Sequence, residues 1–225
     1  MNSLLRMLFM ALVARPVAWI VLGINLRGWG NLPKKGPAIL VANHNSHLDT
    51  LIILSLFGPL TVRKVRPLAA ADYFMQTALR RFIWLRLVGS IPVNRDPRTR
   101  GADGQRISPL GTCIAALNEG AIVLVFPEGS RGEPEEMVNF KPGVAHLARD
   151  FPDVPVVPIF LRGAGKALPR GEALLVPFVC DVAVGPSLRW TGDNASFMTA
   201  VRGAMDELEA SMPTPAWDDE PTVSA

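Results

Sequence analysis

The chain has 225 residues, of which 49% are hydrophobic and 19% charged, which excludes a disordered or fibrous protein and leads us to expect a single globular domain. A compact fold of this size buries about 70% of the surface its unfolded chain exposes, enough for a full core without staples. Cys113 and Cys180 are too few for a disulfide framework or a four-ligand zinc site, and both sit in apolar stretches where they read as core packing.

The net charge of +3 is unevenly spread. Residues 213–225 hold Asp218, Asp219 and Glu220 with no basic residue and read as a disordered acidic tail, whereas residues 61–106 carry ten Lys or Arg against Asp72, Asp96 and Asp103. A basic face of this kind attracts phosphate, on an anionic lipid or a nucleotide-bearing cofactor. Nucleic acid fits less well, because Tyr73, Phe74, Phe82 and Trp84 come in pairs beside apolar residues rather than between basic ones.

Apolar blocks from Met7 to Ala14 and from Val17 to Ile24 flank Arg15-Pro16. Neither block alone crosses a bilayer, and a charge followed by proline is costly at the midpoint of a span. The expectation is a membrane-associated helical hairpin over residues 1–30, dipping into one leaflet with Arg6, Arg15 and Arg27 near the head groups and Trp19 at the interface, with a single tilted spanning helix or a soluble helical hairpin as the alternatives. A domain over residues 31–212 follows. Its short apolar runs predict strands at Ala38–Val41, Val65–Ala69, Ser90–Val93, Ala121–Phe126, Val154–Leu161 and Phe178–Val184. Helices are predicted at Leu48–Phe57, Tyr73–Leu87, Ile107–Asn118, Gly143–Asp150 and Ala195–Met212. Strand then helix, repeated, gives an α/β class with a mixed, largely parallel sheet surrounded by helices.

Ligands of such sheets gather at the carboxyl ends of strands, and polar residues stand there: Asn43-His44-Asn45-Ser46-His47-Leu48-Asp49, then Asn94-Arg95, then Pro127-Glu128-Gly129-Ser130-Arg131. On a continuous helix His44 and Asp49 would lie ~140° apart. If instead Ser46 caps the helix and Asp49 is its third residue, the pattern is a capping box, and His44 in the preceding turn can fold back to the carboxylate. Such a pair fixes the imidazole tautomer and frees the second nitrogen to accept a proton from a hydroxyl. No Gly-x-Ser-x-Gly elbow supplies a resident nucleophile, so the hydroxyl is expected to arrive on a substrate. A helix cap and an ordinary loop histidine remain the plain alternative. No acidic cluster accompanies the histidines, so no metal is expected, and Gly163-Ala164-Gly165-Lys166 reads as a turn.

Four blocks in order now carry a resemblance: Asn43-His44 with Asp49; Gly89 through Arg95; Phe126 through Arg131 followed by Phe140-Lys141-Pro142-Gly143; and Val154 through Ile159. They resemble the phospholipid/glycerol acyltransferase family, best known from 1-acylglycerol-3-phosphate acyltransferases, across roughly half of the chain. Asn94 departs from the aspartate many members carry. The resemblance implies transfer of a fatty acyl group from acyl-CoA or acyl carrier protein to the sn-2 hydroxyl of 1-acylglycerol-3-phosphate, giving phosphatidic acid, at the cytoplasmic face of the cell membrane and with no cofactor. It implies His44 as general base and Asp49 as its orienter. Arg95 and Arg131 would bind the glycerol phosphate with Lys141 assisting. Glu128 would bind a glycerol hydroxyl or hold Arg131, and Gly129 would admit a close ligand; separately from the resemblance, the oxyanion of such a reaction needs donors, for which backbone N–H groups near the Pro127-Glu128-Gly129 turn are a candidate. Alternative readings are the same chemistry on a lyso-ornithine lipid or lysophospholipid, a metal-dependent hydrolase, and a catalytically silent membrane-binding protein.

Overall fold

The computed structural model describes residues 2–71, 76–93, 110–130, 136–168 and 176–213. Arg95, Arg131, the start of the helix expected from Ile107 and nearly all of the acidic tail lie outside these residues.

Strands β1 (Asn25–Arg27), β2 (Ala38–Ala42), β3 (Val65–Ala70), β4 (Ile91–Val93), β5 (Ile122–Val125), β6 (Val156–Arg162) and β7 (Asp181–Val184) form one sheet of order β1-β7-β6-β2-β5-β3-β4. Every pairing is parallel except β6 with β7. The expected mixed, largely parallel sheet is therefore the observed one. Its central strands are apolar on both faces, as parallel strands covered by helices must be: every residue of β2 and β5 is buried. Alternation splits them between two cores. Leu40, Ala42, Ile122 and Leu124 join one cluster, while Ile39, Val41, Val123 and Val125 join the other.

The first cluster is closed by the N-terminal helix α1 (residues 2–21) and by α2 (Leu48–Ser55), with α3 (Pro59–Val62) and α4 (residues 78–88) beyond them. The second is closed by α5 (Gly111–Asn118), α6 (Gly143–Asp150) and α8 (Asn194–Ala210), while Gly163 turns the chain into the single helical turn α7 (Ala164–Ala167). Cys113 and Cys180 are buried, one in each core.

The N-terminal hairpin expected from Arg15-Pro16 is instead one helix. Pro16 has no N–H and its ring crowds the preceding turn, but π-turns over Met10–Ala14 and Val17–Val21 widen the backbone around it. Arg15 N–H then bonds Met10 O, and Leu22 N–H bonds Val17 O at 3.0 Å. The widened turns bring the repeat toward four residues, so Arg6, Met10, Ala14, Ala18 and Leu22 form one buried stripe. Arg6 does not face head groups: it is 4% exposed and donates to Val65 O at 2.7 Å and Arg63 O at 3.3 Å, fixing the helix to the start of β3. The opposite face leaves Leu4, Leu8, Leu12 and Ile20 exposed. By length and composition, Leu4–Val21 is long and apolar enough to cross a membrane. Strand β1 follows within the segment expected to be purely membrane-associated and adds an edge to the sheet.

Candidate active site

Strands β2 and β5 run side by side with Val41 opposite Val125, so the loops leaving them emerge together. From β2 the chain crosses to β3 by way of α2, on the α1 face of the sheet; from β5 it crosses through α6, on the other face, to β6. The two crossovers lie on opposite faces of the sheet, an arrangement beside which sheets of this type bind ligands.

The loop after β2 is pinned to β6. Asn43 acts as an extra rung of the sheet: its Nδ2 donates to Leu161 O and its Oδ1 accepts from Leu161 N–H, both at 2.8 Å. Asn45 Nδ2 donates to the same carbonyl at 3.2 Å. His44 stands between these two anchors with its side chain 18% exposed.

Asp49 lies in the first turn of α2 and is fully buried. One of its oxygens, Oδ2, accepts three hydrogen bonds: from Asn45 N–H and Ser46 N–H at 2.7 Å each, with His44 Nδ1 at 2.9 Å. The expected capping box forms only in part: Asp49 returns to Ser46 N–H, but Ser46 Oγ accepts from Leu48 N–H at 3.3 Å rather than from Asp49 N–H, and the helix starts at Leu48 with His47 at its cap position, so Asp49 is its second residue. The loop thus curls around one carboxylate oxygen, and that curl brings two side chains five positions apart into contact. With Nδ1 as donor, the free lone pair of the imidazole is on Nε2. Among the described residues no hydroxyl is bonded to it; the nearby Ser46 hydroxyl donates to Leu168 O at 3.1 Å.

The loop after β5 closes on His44 from the other side. The Phe126 ring stacks on the imidazole, with centroids 4.1 Å apart and planes inclined by 20°. Glu128 is 3% exposed, and its Oε1 accepts from the backbone N–H of His44 at 3.2 Å. The partner this side chain finds is therefore the His44 backbone; whether it also meets Arg131 lies outside the described residues. Burial raises the Glu128 carboxyl from its ordinary 4.5 to about 7, with the Asp49 carboxylate adding to the rise and the His44 N–H and Arg202 opposing it. An acid raised in this way favours the folded state most below about 4.5 and loses that contribution as pH climbs through about 7. Subtracting the unfolding free energy of Glu128→Gln from that of the wild type should give a difference that falls by about 3 kcal/mol across this window. Denaturant unfolding at each end of the window reads it; a flat difference contradicts a carboxyl that keeps its proton.

Gly129 has φ +74°, and a Cβ there would lie 2.6 Å from Lys141 Nζ. The glycine leaves room for the Lys141 side chain to cross over the turn, while Lys141 N–H bonds Pro127 O at 2.8 Å. Gly129 N–H is already committed to Phe126 O at 3.1 Å, so it is not an open donor for an oxyanion. Of the residues singled out in the sequence, His44 and Asp49 thus stand on the loop after β2 and the first turn of α2, and Glu128, Gly129 and Lys141 on the adjoining connection from β5 to α6. Sequence reasoning misses the part of Phe126, though its place on the strand face that continues Ile122 and Leu124 points toward α2.

A histidine–aspartate pair at the carboxyl end of a mostly parallel sheet has the chemistry to accept a proton from a hydroxyl through its second ring nitrogen. A family model described as Acyltransferase matches residues 23–162. The chain is 34% identical over 152 residues to the chloroplastic 1-acyl-sn-glycerol-3-phosphate acyltransferase of Arabidopsis thaliana, covering 66% of this chain and 38% of that protein. It is 30% identical over 176 residues to the 1-acyl-sn-glycerol-3-phosphate acyltransferase of Pseudomonas aeruginosa, covering 77% and 63%. The crystal structure of the 1-acyl-sn-glycerophosphate acyltransferase PlsC from Thermotoga maritima shares the fold, with a TM-score of 0.69 and 19% identity over 92% of this chain and 81% of that one. The chain belongs to the acyltransferase family. It spans between about two fifths and two thirds of the length of these two curated relatives.

Proposed function

We propose that this protein transfers a fatty acyl group from an acyl thioester, on CoA or acyl carrier protein, to the sn-2 hydroxyl of 1-acylglycerol-3-phosphate, giving phosphatidic acid. The observation that carries the reading is the 2.9 Å contact of His44 Nδ1 with Asp49 Oδ2, made in a loop that supplies no nucleophile to the other ring nitrogen. Nε2 takes the proton of the acceptor hydroxyl as its oxygen attacks the thioester carbonyl carbon. The C–O bond forms, the C–S bond breaks, and the departing thiolate recovers the proton from the imidazolium. Asp49 stabilises that imidazolium through its shared hydrogen bond. No acyl-enzyme forms.

Arg95 and Arg131 are proposed to hold the acceptor phosphate, for which two parallel N–H bonds from guanidinium are suited, with Lys141 as a further cation. The names carried by the curated relatives support this acceptor. The exposed apolar face of α1 supports attachment to the membrane, at its cytoplasmic face in our reading, so that lipids reach the site from the leaflet. Between α1 and α2 lies a small apolar cleft lined by Phe9, Val13, Val17, Leu48, Leu51 and Ile52.

The experiment is incubation of purified protein with labelled acyl-CoA and a panel of lysolipids, with products identified by mass. Phosphatidic acid from lysophosphatidic acid supports the proposal. Acylation of lyso-ornithine lipid or lysophospholipid alone keeps the chemistry and changes the acceptor. Liposome binding without thioester consumption refutes the enzyme.

A further inference from the structure

The imidazole of His44 is fixed by its own Cβ and by one hydrogen bond to Asp49. Hydrogen bonds tolerate misalignment of some tens of degrees, so this contact alone lets the ring swing and carry Nε2 off the line to an incoming hydroxyl. Proton transfer depends strongly on that line. A second restraint is present. Phe126 lies against one face of the ring at 4.1 Å between centroids and 20° between planes.

Phe126 is itself held. It follows the last residue of β5 on the face shared by Ile122 and Leu124, is half-buried, and packs against the core beneath α1 and α2. A leucine would fill such a position for packing purposes; a flat ring does something further. Its face is electron-rich, so it favours a cation stacked on it over a neutral ring. In the proposed reaction His44 takes the hydroxyl proton and carries it as a cation. The stack therefore strengthens as the proton is transferred, which is the condition for an interaction to raise turnover.

We propose that Phe126 is a positioning residue for acyl transfer: its ring sets the plane of the His44 imidazole and stabilises the imidazolium formed as the proton is taken. This rests on His44 being the base of the proposed reaction. It is separate from substrate binding by the turn that follows, because Phe126 acts through His44.

The test compares Phe126→Leu, Phe126→Met and Phe126→Tyr in the full chain with the wild type and with His44→Ala, measuring kcat, KM for donor and for acceptor, and melting temperature. Leucine and methionine keep apolar bulk and should lower kcat ~10-fold while both KM values stay within about twofold. Tyrosine keeps the ring and should hold kcat within about threefold of wild type. A folded leucine or methionine variant with wild-type kcat overturns the proposal. So does a tyrosine variant as slow as leucine, or a loss that falls on KM instead of kcat. Should leucine fail to fold, methionine against tyrosine gives the same comparison. An active His44→Ala enzyme would remove the reading on which this rests; an inactive one beside a fully active Phe126→Leu enzyme would overturn the role of Phe126 alone.

Discussion

Replacing His44 with alanine should lower kcat by on the order of 10³-fold while the protein still folds. The side chain is partly exposed and makes one hydrogen bond, so its loss leaves the loop anchored by Asn43, Asn45 and the two backbone N–H bonds to Asp49. What goes is the proton acceptor. In the proposed reaction the alcohol must then attack without a base. Product formed per enzyme under saturating donor and acceptor, set beside the melting temperature, checks this. Near wild-type turnover from a folded His44→Ala protein would remove the imidazole from the reaction.

The second large effect belongs to Asp49→Asn, and its interest is that it separates two roles. All three hydrogen bonds converge on Oδ2, and an asparagine can set its carbonyl oxygen in the same place. The loop then keeps its curl, and the stability lost is about 1 to 2 kcal/mol, the difference between charged and neutral acceptors. Catalysis suffers far more, because the negative charge that offsets the imidazolium is gone. A fall in kcat of between about 10² and 10⁴ is expected, with KM for the acceptor little changed. Asp49→Ala strips the loop of its acceptor and should in addition lower the melting temperature. Equal melting temperatures for the two variants would contradict a loop organised around that single oxygen.

The sheet was legible because its central strands are buried on both sides and therefore apolar without interruption, as in Ala38–Ala42 and Ile122–Val125. Strand β1 was not: Asn25-Leu26-Arg27 is short and half polar, and it becomes a strand only because β7 stands beside it. The N-terminal helix shows a different limit. Arg15-Pro16 breaks a regular α-helix, and the π-turns that accommodate it leave no mark in a hydrophobicity pattern. Arg6 reads as a surface cation in the sequence because its partners, the carbonyls of Arg63 and Val65, are far away in the chain. At the site, the His44–Asp49 contact could be foreseen because the return of Asp49 to the Ser46 N–H is a local pattern, even though Ser46 is not the helix cap. Glu128 bonding the His44 backbone and Phe126 covering its ring could not, since both follow from the register that sets β5 against β2.

The central claim is that the acyl group passes straight to an alcohol carried in by the lipid. Intact-mass measurement of the purified protein mixed with acyl-CoA alone, and then with lysophosphatidic acid added, tests it most directly. Direct transfer predicts unmodified protein and unconsumed thioester in the first mixture, and stoichiometric release of CoA with phosphatidic acid in the second. Protein heavier by one acyl group in the absence of acceptor, and able to pass that group on when acceptor arrives, would contradict it.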